Sequence, residues 1–173
     1  MYTPERYVAA LRFAAEHHRG QLVPGTELPY VVHVVSVAAE VIAALVPDRD
    51  ADLAVCAALL HDTIEDTGAT YAEIEAAFGR HVADGVQALS KANACADPMA
   101  DSLRRIRMQP REISMVKLGD RITNLSPPPA RWTRDKCREY RAEAIVIADA
   151  LGSADATLDA RLRTRIASYA AYC

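Results

Sequence analysis

The sequence predicts an all-α protein, a bundle of several helices, on three observations. Hydrophobic residues make up 51% of the 173, but much of that share is alanine and aromatics reach only 6%. Such a composition suits closely packed helices better than a pleated sheet. Helix punctuation recurs along the chain, from Thr3-Pro4-Glu5 through Thr70-Tyr71-Ala72-Glu73 to the run Pro127-Pro128-Pro129. There is also no internal repeat, no Gly-rich phosphate loop and no Gly-x-Ser-x-Gly nucleophile to suggest another class. At this length one domain over residues 1–173 is expected, large enough to bury a sizeable core.

Thr3, Pro4 and Glu5 read as an N-cap, a first-turn proline and a first-turn acid, so a helix should follow and end near His18. Gly20 stops it, and residues 20–29, with Pro24, Gly25 and Pro29, form a loop. Valine propensity alone would make the start of 30–45 a strand. Its length and the later Ala-rich i, i+3, i+4 spacing favour one buried helix. His33 lies alone in that apolar run, where an imidazole ordinarily reads as a hydrogen-bonded core residue.

Pro47 to Asp50 is a turn with a cap, and residues 51–61 an Ala/Leu helix. Thr70 to Glu73 is a capping box opening a short helix that Gly79 closes. Further helices are expected over 80–90 and about 98–108, with a loop from Asn93 to Pro98 between them. Arg104, Arg105 and Arg107 on the second of these read as a solvated face. Pro110 opens a partly buried helix over 111–125, in which Asp120 and Asn124 sit four apart on one face. The proline run ends it. Trp132 should begin a helix to Leu151 with Lys136 and Tyr140 one turn apart, and Gly152-Ser153 separates it from a last amphipathic helix.

The formal charge of −3 and pI near 5.9 argue against a protein that coats nucleic acid, though not against a basic pocket for one small anion. No apolar run reaches membrane-spanning length, and Met1 to Arg6 lack the apolar segment of a signal peptide. Cys56, Cys95, Cys137 and Cys173 are scattered and read as idle thiols in a reducing compartment. Cytoplasmic localisation is therefore expected, without a membrane partner.

Leu59-Leu60-His61-Asp62-Thr63-Ile64-Glu65-Asp66-Thr67 is the densest chemistry in the chain. An apolar run ends in a vicinal His-Asp, with an acidic pair one helical turn on. Imidazole and carboxylate side by side suit a mixed N/O site for Mn²⁺, Fe²⁺ or Zn²⁺. Four ionisable groups beside an apolar run carry a desolvation cost that a cation or proton chemistry offsets. The plainer account of the same residues is a capped helix end with a solvated acidic turn.

Taken together, His33, His61-Asp62 and Asp120 resemble the ligand pattern of the HD superfamily of metal-dependent phosphohydrolases. The segments His18-Arg19-Gly20-Gln21, Pro29-Tyr30-Val31-Val32-His33, Leu59 to Thr67 and Val116-Lys117-Leu118-Gly119-Asp120-Arg121-Ile122-Thr123-Asn124 are similar to the hydrolase domain of RelA/SpoT homologues, and more narrowly to stand-alone small alarmone hydrolases. That resemblance implies an HD-domain bundle with one Mn²⁺ per chain at its centre, held by the residues matching His33, His61, Asp62 and Asp120. It implies that Glu65 and Asp66 orient and deprotonate a water that releases the 3′-pyrophosphate of (p)ppGpp. It places Tyr30, Asn124, Lys136 and Tyr140 against a purine nucleotide alarmone, and leaves a homo-oligomer open. The chain departs from those relatives at Val23-Pro24, where an Arg-Lys pair stands, at Thr123 and at the three prolines. (p)ppApp, another 3′-phosphorylated nucleotide such as NADPH, and a non-catalytic nucleotide-binding scaffold therefore stay open.

Overall fold

The computed structural model describes residues 1–91 and 97–173. Cys95 and most of the loop expected from Asn93 to Pro98 lie outside the described residues. Among the described residues the chain forms ten α-helices and two short 3-10 turns. Its β pairing there is limited to the isolated bridge Leu22–Pro29.

The centre is α3 (Ala51–Leu60), in which every residue but Asp52 is buried. A helix apolar on all faces must be covered on all faces. Here α1 (Pro4–His17), α2 (Val31–Ala43), α6 (Arg80–Leu89) and α8 (Arg111–Asn124) surround it. Asp50 caps α3 by accepting from the Leu53 N–H at 2.9 Å. Burial overrides valine's strand propensity in α2, whose Val34, Val37, Ala38 and Val41 are fully enclosed. Helices α2 and α8 approach closely at Gly119, where an added Cβ would sit 3.3 Å from the Val41 side chain. That approach sets the distance between the residues each helix contributes to the site.

The capping box forms as expected at the start of α5 (Tyr71–Phe78), with Thr70 and Glu73 bonding reciprocally. The four-residue α4 (Thr63–Asp66) carries the acidic pair and is too short to leave a periodic signal. Thr3 has the extended backbone of an N-cap but no capping bond. Its N–H and hydroxyl donate instead to the Asp52 carboxylate, tying α1 to α3.

Helix α7 (Pro98–Arg107) uses its arginines more than a solvated face would. Arg105 donates to the carbonyls of Gln87, Ala88 and Ser90, and Arg107 to that of Ala150. Helix α9 spans Arg134–Leu151, starting two residues after Trp132 because Thr133 caps it through the Lys136 N–H. Helix α10 (Ala156–Tyr169) is clamped to α2 by paired hydrogen bonds from Arg161 to Glu40. No helix among the described residues is long and apolar enough to cross a membrane.

Candidate metal centre and adjoining cavity

Four polar side chains from three helices meet where α2, α3 and α8 converge. His33 stands in the first turn of α2, His61 and Asp62 follow the C-terminal end of α3, and Asp120 sits one turn before the end of α8. The Nε2 atoms of His33 and His61 are 3.3 Å apart. Asp62 Oδ2 lies 2.9 Å from His61 Nε2 and 3.6 Å from His33 Nε2. Asp120 Oδ1 is 3.5 Å from His33 Nε2 and 3.8 Å from His61 Nε2. His33, His61 and Asp120 are all buried.

These atoms fit a divalent cation. His61 Nδ1 is 2.9 Å from the Ala58 carbonyl, an acceptor that fixes the proton on Nδ1 and leaves the Nε2 lone pair pointing into the cluster. Ligand atoms of His33, His61 and Asp62 all lie within 4.8 Å of one another. Two imidazoles and two carboxylates make a mixed N/O donor set. Burial disfavours charge on His61, but the carboxylates of Asp62 and Asp120 outweigh it and push its pKa up to about 10. The pair of acids demands positive charge at that nitrogen, which a proton or a metal supplies.

The surrounding residues orient the carboxylates. Tyr30 donates its hydroxyl to Asp62 Oδ2 at 2.5 Å, and burial together with Asp62 keeps that phenol protonated. Lys117 Nζ is 2.9 Å from Asp120 Oδ2, and the Asn124 amide donates to Oδ1. Arg121, the residue next to Asp120, points away from it, over the Tyr140 ring at 4.4 Å and 3.5 Å from Glu143. Lys117, three residues before Asp120 on the same face, is the partner that sequence reasoning missed, although i, i+3 spacing carried the signal.

The acidic pair divides. Glu65 accepts from the Lys91 N–H at 2.8 Å, with Lys91 Nζ at 3.3 Å. Asp66 accepts only from Gln21 Nε2, at 3.1 Å, among the described residues. Burial, then Asp62, raise the Asp66 pKa above the ordinary carboxylate value.

Beside His33 opens a cavity of about 320 Å³. Tyr140 and Asn124 line it, as do Val23, Pro24, Leu28, Pro127 to Pro129, Trp132 and Tyr169. Apart from His33, the lining among the described residues carries no carboxylate, amine or guanidinium, and burial raises the pKa of its two phenols, Tyr140 and Tyr169. Four hydroxyls in the wall donate inward to backbone carbonyls: Thr26 to Val23, Ser36 to Val32, Thr123 to Gly119 and Ser126 to Thr123. Of the expected nucleotide contacts, Tyr30 faces the metal ligands, while Lys136 is outside the lining, half-exposed and 3.7 Å from Glu139.

The chain has relatives of known family and fold. The HD domain family matches residues 10–147. A guanosine-3′,5′-bis(diphosphate) 3′-pyrophosphohydrolase, MESH1 of Danio rerio, is 32% identical over 162 residues, covering 88% of each chain. The Drosophila melanogaster protein of the same name is 29% identical over 174 residues, covering 93% of each. Among solved structures, one described as a metazoan ortholog of SpoT that hydrolyzes ppGpp superposes with a TM-score of 0.85, at 26% identity over 97% of both chains.

Proposed function

The chain belongs to the HD domain family, and from that premise we propose that it is a Mn²⁺-dependent hydrolase of the 3′-pyrophosphate of alarmone nucleotides, (p)ppGpp, (p)ppApp or both. The observation that carries the reading is the convergence of His33, His61, Asp62 and Asp120 beside a cavity sized for a nucleoside. The relatives named as 3′-pyrophosphohydrolases over nearly their whole length support the substrate class.

His33, His61, Asp62 and Asp120 would hold one metal ion per chain. Bound there, a divalent cation acidifies water and polarises a phosphoryl oxygen. Asp66, with its raised pKa and one oxygen free of Gln21, accepts the proton of the attacking water. Glu65, held by Lys91, fixes the turn that presents Asp66 and adds negative charge beside it. Attack at phosphorus breaks the bond to the 3′-oxygen, which takes a proton and leaves a free 3′-hydroxyl and pyrophosphate. Asn124 and Tyr140 position ribose and base along the cavity, Tyr30 keeps Asp62 oriented, and Lys136 meets the outer phosphates from solvent.

The apolar wall favours no particular purine, so an adenine alarmone is a substrate on the same footing as a guanine one. NADPH carries a single phosphate on the 2′-oxygen and a free 3′-hydroxyl, so it has no 3′-pyrophosphate to release and is the control. Purified protein is tested with Mn²⁺ against ppGpp, pppGpp, ppApp, pppApp and NADPH. Metal-dependent pyrophosphate release is expected. Nucleotide binding with no turnover of any of them would make the chain a non-catalytic scaffold.

A further inference from the structure

His18 is buried at 4% exposure, and its Nε2 has no hydrogen-bond partner among the described residues. A residue kept only for packing would not carry an orphaned ring nitrogen, since a leucine fills similar space without one. Its other nitrogen is engaged: Nδ1 lies 2.7 Å from Gln21 Oε1.

The direction of that bond follows from the far end of the chain of contacts. Gln21 Nε2 is 3.1 Å from Asp66 Oδ2. An ionised carboxylate only accepts, so the amide must turn its NH₂ to Asp66 and its carbonyl oxygen to His18. The proton of His18 is then on Nδ1, and the orphaned Nε2 is a bare lone pair. Burial lowers the His18 pKa, consistent with a neutral ring.

Gln21 has little freedom to point elsewhere. Its N–H donates to the His18 carbonyl at 3.0 Å and its carbonyl accepts from the Tyr30 N–H at 2.9 Å. The turn that allows this runs through Gly20 at φ +81°, a left-handed conformation that a side chain would strain. The same His18 ring stacks on Tyr30, with centroids 4.7 Å apart, and Tyr30 donates to Asp62.

We infer that His18 and Gln21 are positioning residues: a one-way relay, His18 Nδ1–H to Gln21 Oε1 and Gln21 Nε2–H to Asp66 Oδ2, aims the Asp66 carboxylate at the attacking water. This rests on the proposed hydrolytic role of Asp66 and assigns what holds it in place. One oxygen of Asp66 is fixed by the amide and the other is left for water. Proximity to the substrate is not required of either residue, because the relay acts through Asp66.

The test uses metal-loaded full-length chain with whichever of ppGpp and ppApp the wild type turns over faster. Gln21→Met keeps the shape and removes the donor, and should lower kcat roughly ten- to a hundredfold with KM and metal stoichiometry unchanged. His18→Asn keeps a donor near the Nδ1 position and should retain most of kcat. His18→Leu, the better packing substitute, should lose it to the extent of Gln21→Met. A packing role predicts the opposite order of the two His18 variants, and that order overturns the relay. Nitrogen NMR of the wild type should find the Nδ1–H tautomer of His18, and the Nε2–H tautomer would also overturn it. If Asp66→Asn abolishes turnover while Gln21→Met does not, the relay fails alone. If Asp66→Asn turns over normally, the catalytic reading fails and the relay with it.

Discussion

Lys117 Nζ lies 2.9 Å from one oxygen of Asp120, while the other oxygen of the same carboxylate faces His33 Nε2 at 3.5 Å. One side of a buried acid is thus neutralised from within α8 and the other is left for the centre. Removing one partner of a buried ion pair is costly because the remaining charge has no compensation. Lys117→Met should therefore destabilise metal-free protein by about 3 kcal/mol. Added Mn²⁺ should recover more stability in the variant than in the wild type, because it supplies the missing positive charge. Equal metal-induced shifts in Tm for the two proteins would mean Lys117 does not compensate Asp120.

The metal assignment makes a sharper demand. His33→Ala and Asp120→Ala should each remove bound Mn²⁺ and reduce turnover to background, with helical circular dichroism largely retained. Neither side chain caps a helix or fills the apolar core, so the fold does not depend on them as it does on Leu59 or Ile122. Full metal stoichiometry with full turnover in either variant would remove that residue from the ligand set.

Glu65 and Asp66 separate water chemistry from metal binding. Glu65→Gln and Asp66→Asn should lose turnover, by roughly 10²–10⁴-fold for the group that takes the proton, and keep metal and nucleotide. The geometry orders them: Asp66, engaged only by Gln21, should be the more sensitive, and Glu65, already paired with Lys91, the less. Metal lost in step with activity would turn them into ligands, and unchanged rates would return them to a solvated turn.

A pH dependence of stability follows from the link between α1 and α3. Burial alone would raise the Asp52 pKa, but the Thr3 N–H and hydroxyl and the Arg6 guanidinium outweigh it and lower it. A folded pKa below the unfolded one gives stability that is present above the unfolded value and lost as pH falls through the folded one. Asp52→Asn should cost about 1–2 kcal/mol at neutral pH. Urea titrations near pH 7 and near pH 3 should show that difference shrinking in acid. A difference that grows in acid has the wrong sign for this pair.

Most helices were legible because their ends carry their own chemistry: the Thr70–Glu73 box, Asp50 before α3 and the prolines after α8 are local signals that tertiary packing did not overrule. Trp132 misled because an aromatic marks no boundary, whereas Thr133, one residue on, is the cap. That His33, His61, Asp62 and Asp120 share one place was legible through the resemblance to the HD ligand pattern, since His33 taken alone reads as a core histidine in an apolar run. Their partners were not. Gln21 and Tyr30 look like ordinary loop residues until the turn at Gly20 brings them to the carboxylates, and Lys117, on the same helix as Asp120, reads as a surface lysine although its i, i+3 spacing carried the signal. The inward-turned hydroxyls of the cavity leave no trace in the sequence either, since a serine facing its own backbone is written like any other.

Those hydroxyls bear on which base is cleaved. The resemblance to RelA/SpoT hydrolases implies an Arg-Lys pair at the positions where Val23 and Pro24 line this cavity. A guanidinium stacked on a base is worth on the order of 1–3 kcal/mol by analogy with base–aromatic stacking, roughly ten- to a hundredfold in kcat/KM. Nothing in the wall replaces it with a charge, and the protons of Thr26, Ser36, Thr123 and Ser126 are directed into the backbone. What those oxygens can still do is accept, from the amino group of adenine or from the N1–H and amino group of guanine alike, while none of them donates to the guanine carbonyl. With ppGpp and ppApp competing at one Mn²⁺ concentration, discrimination should be within about tenfold or should favour adenine. Val23→Arg should shift the ratio toward guanine, and Lys136→Ala, which touches neither base, should raise KM for both substrates alike. A strong preference for ppGpp that survives Val23→Ala would show that the guanine is read by groups outside this wall.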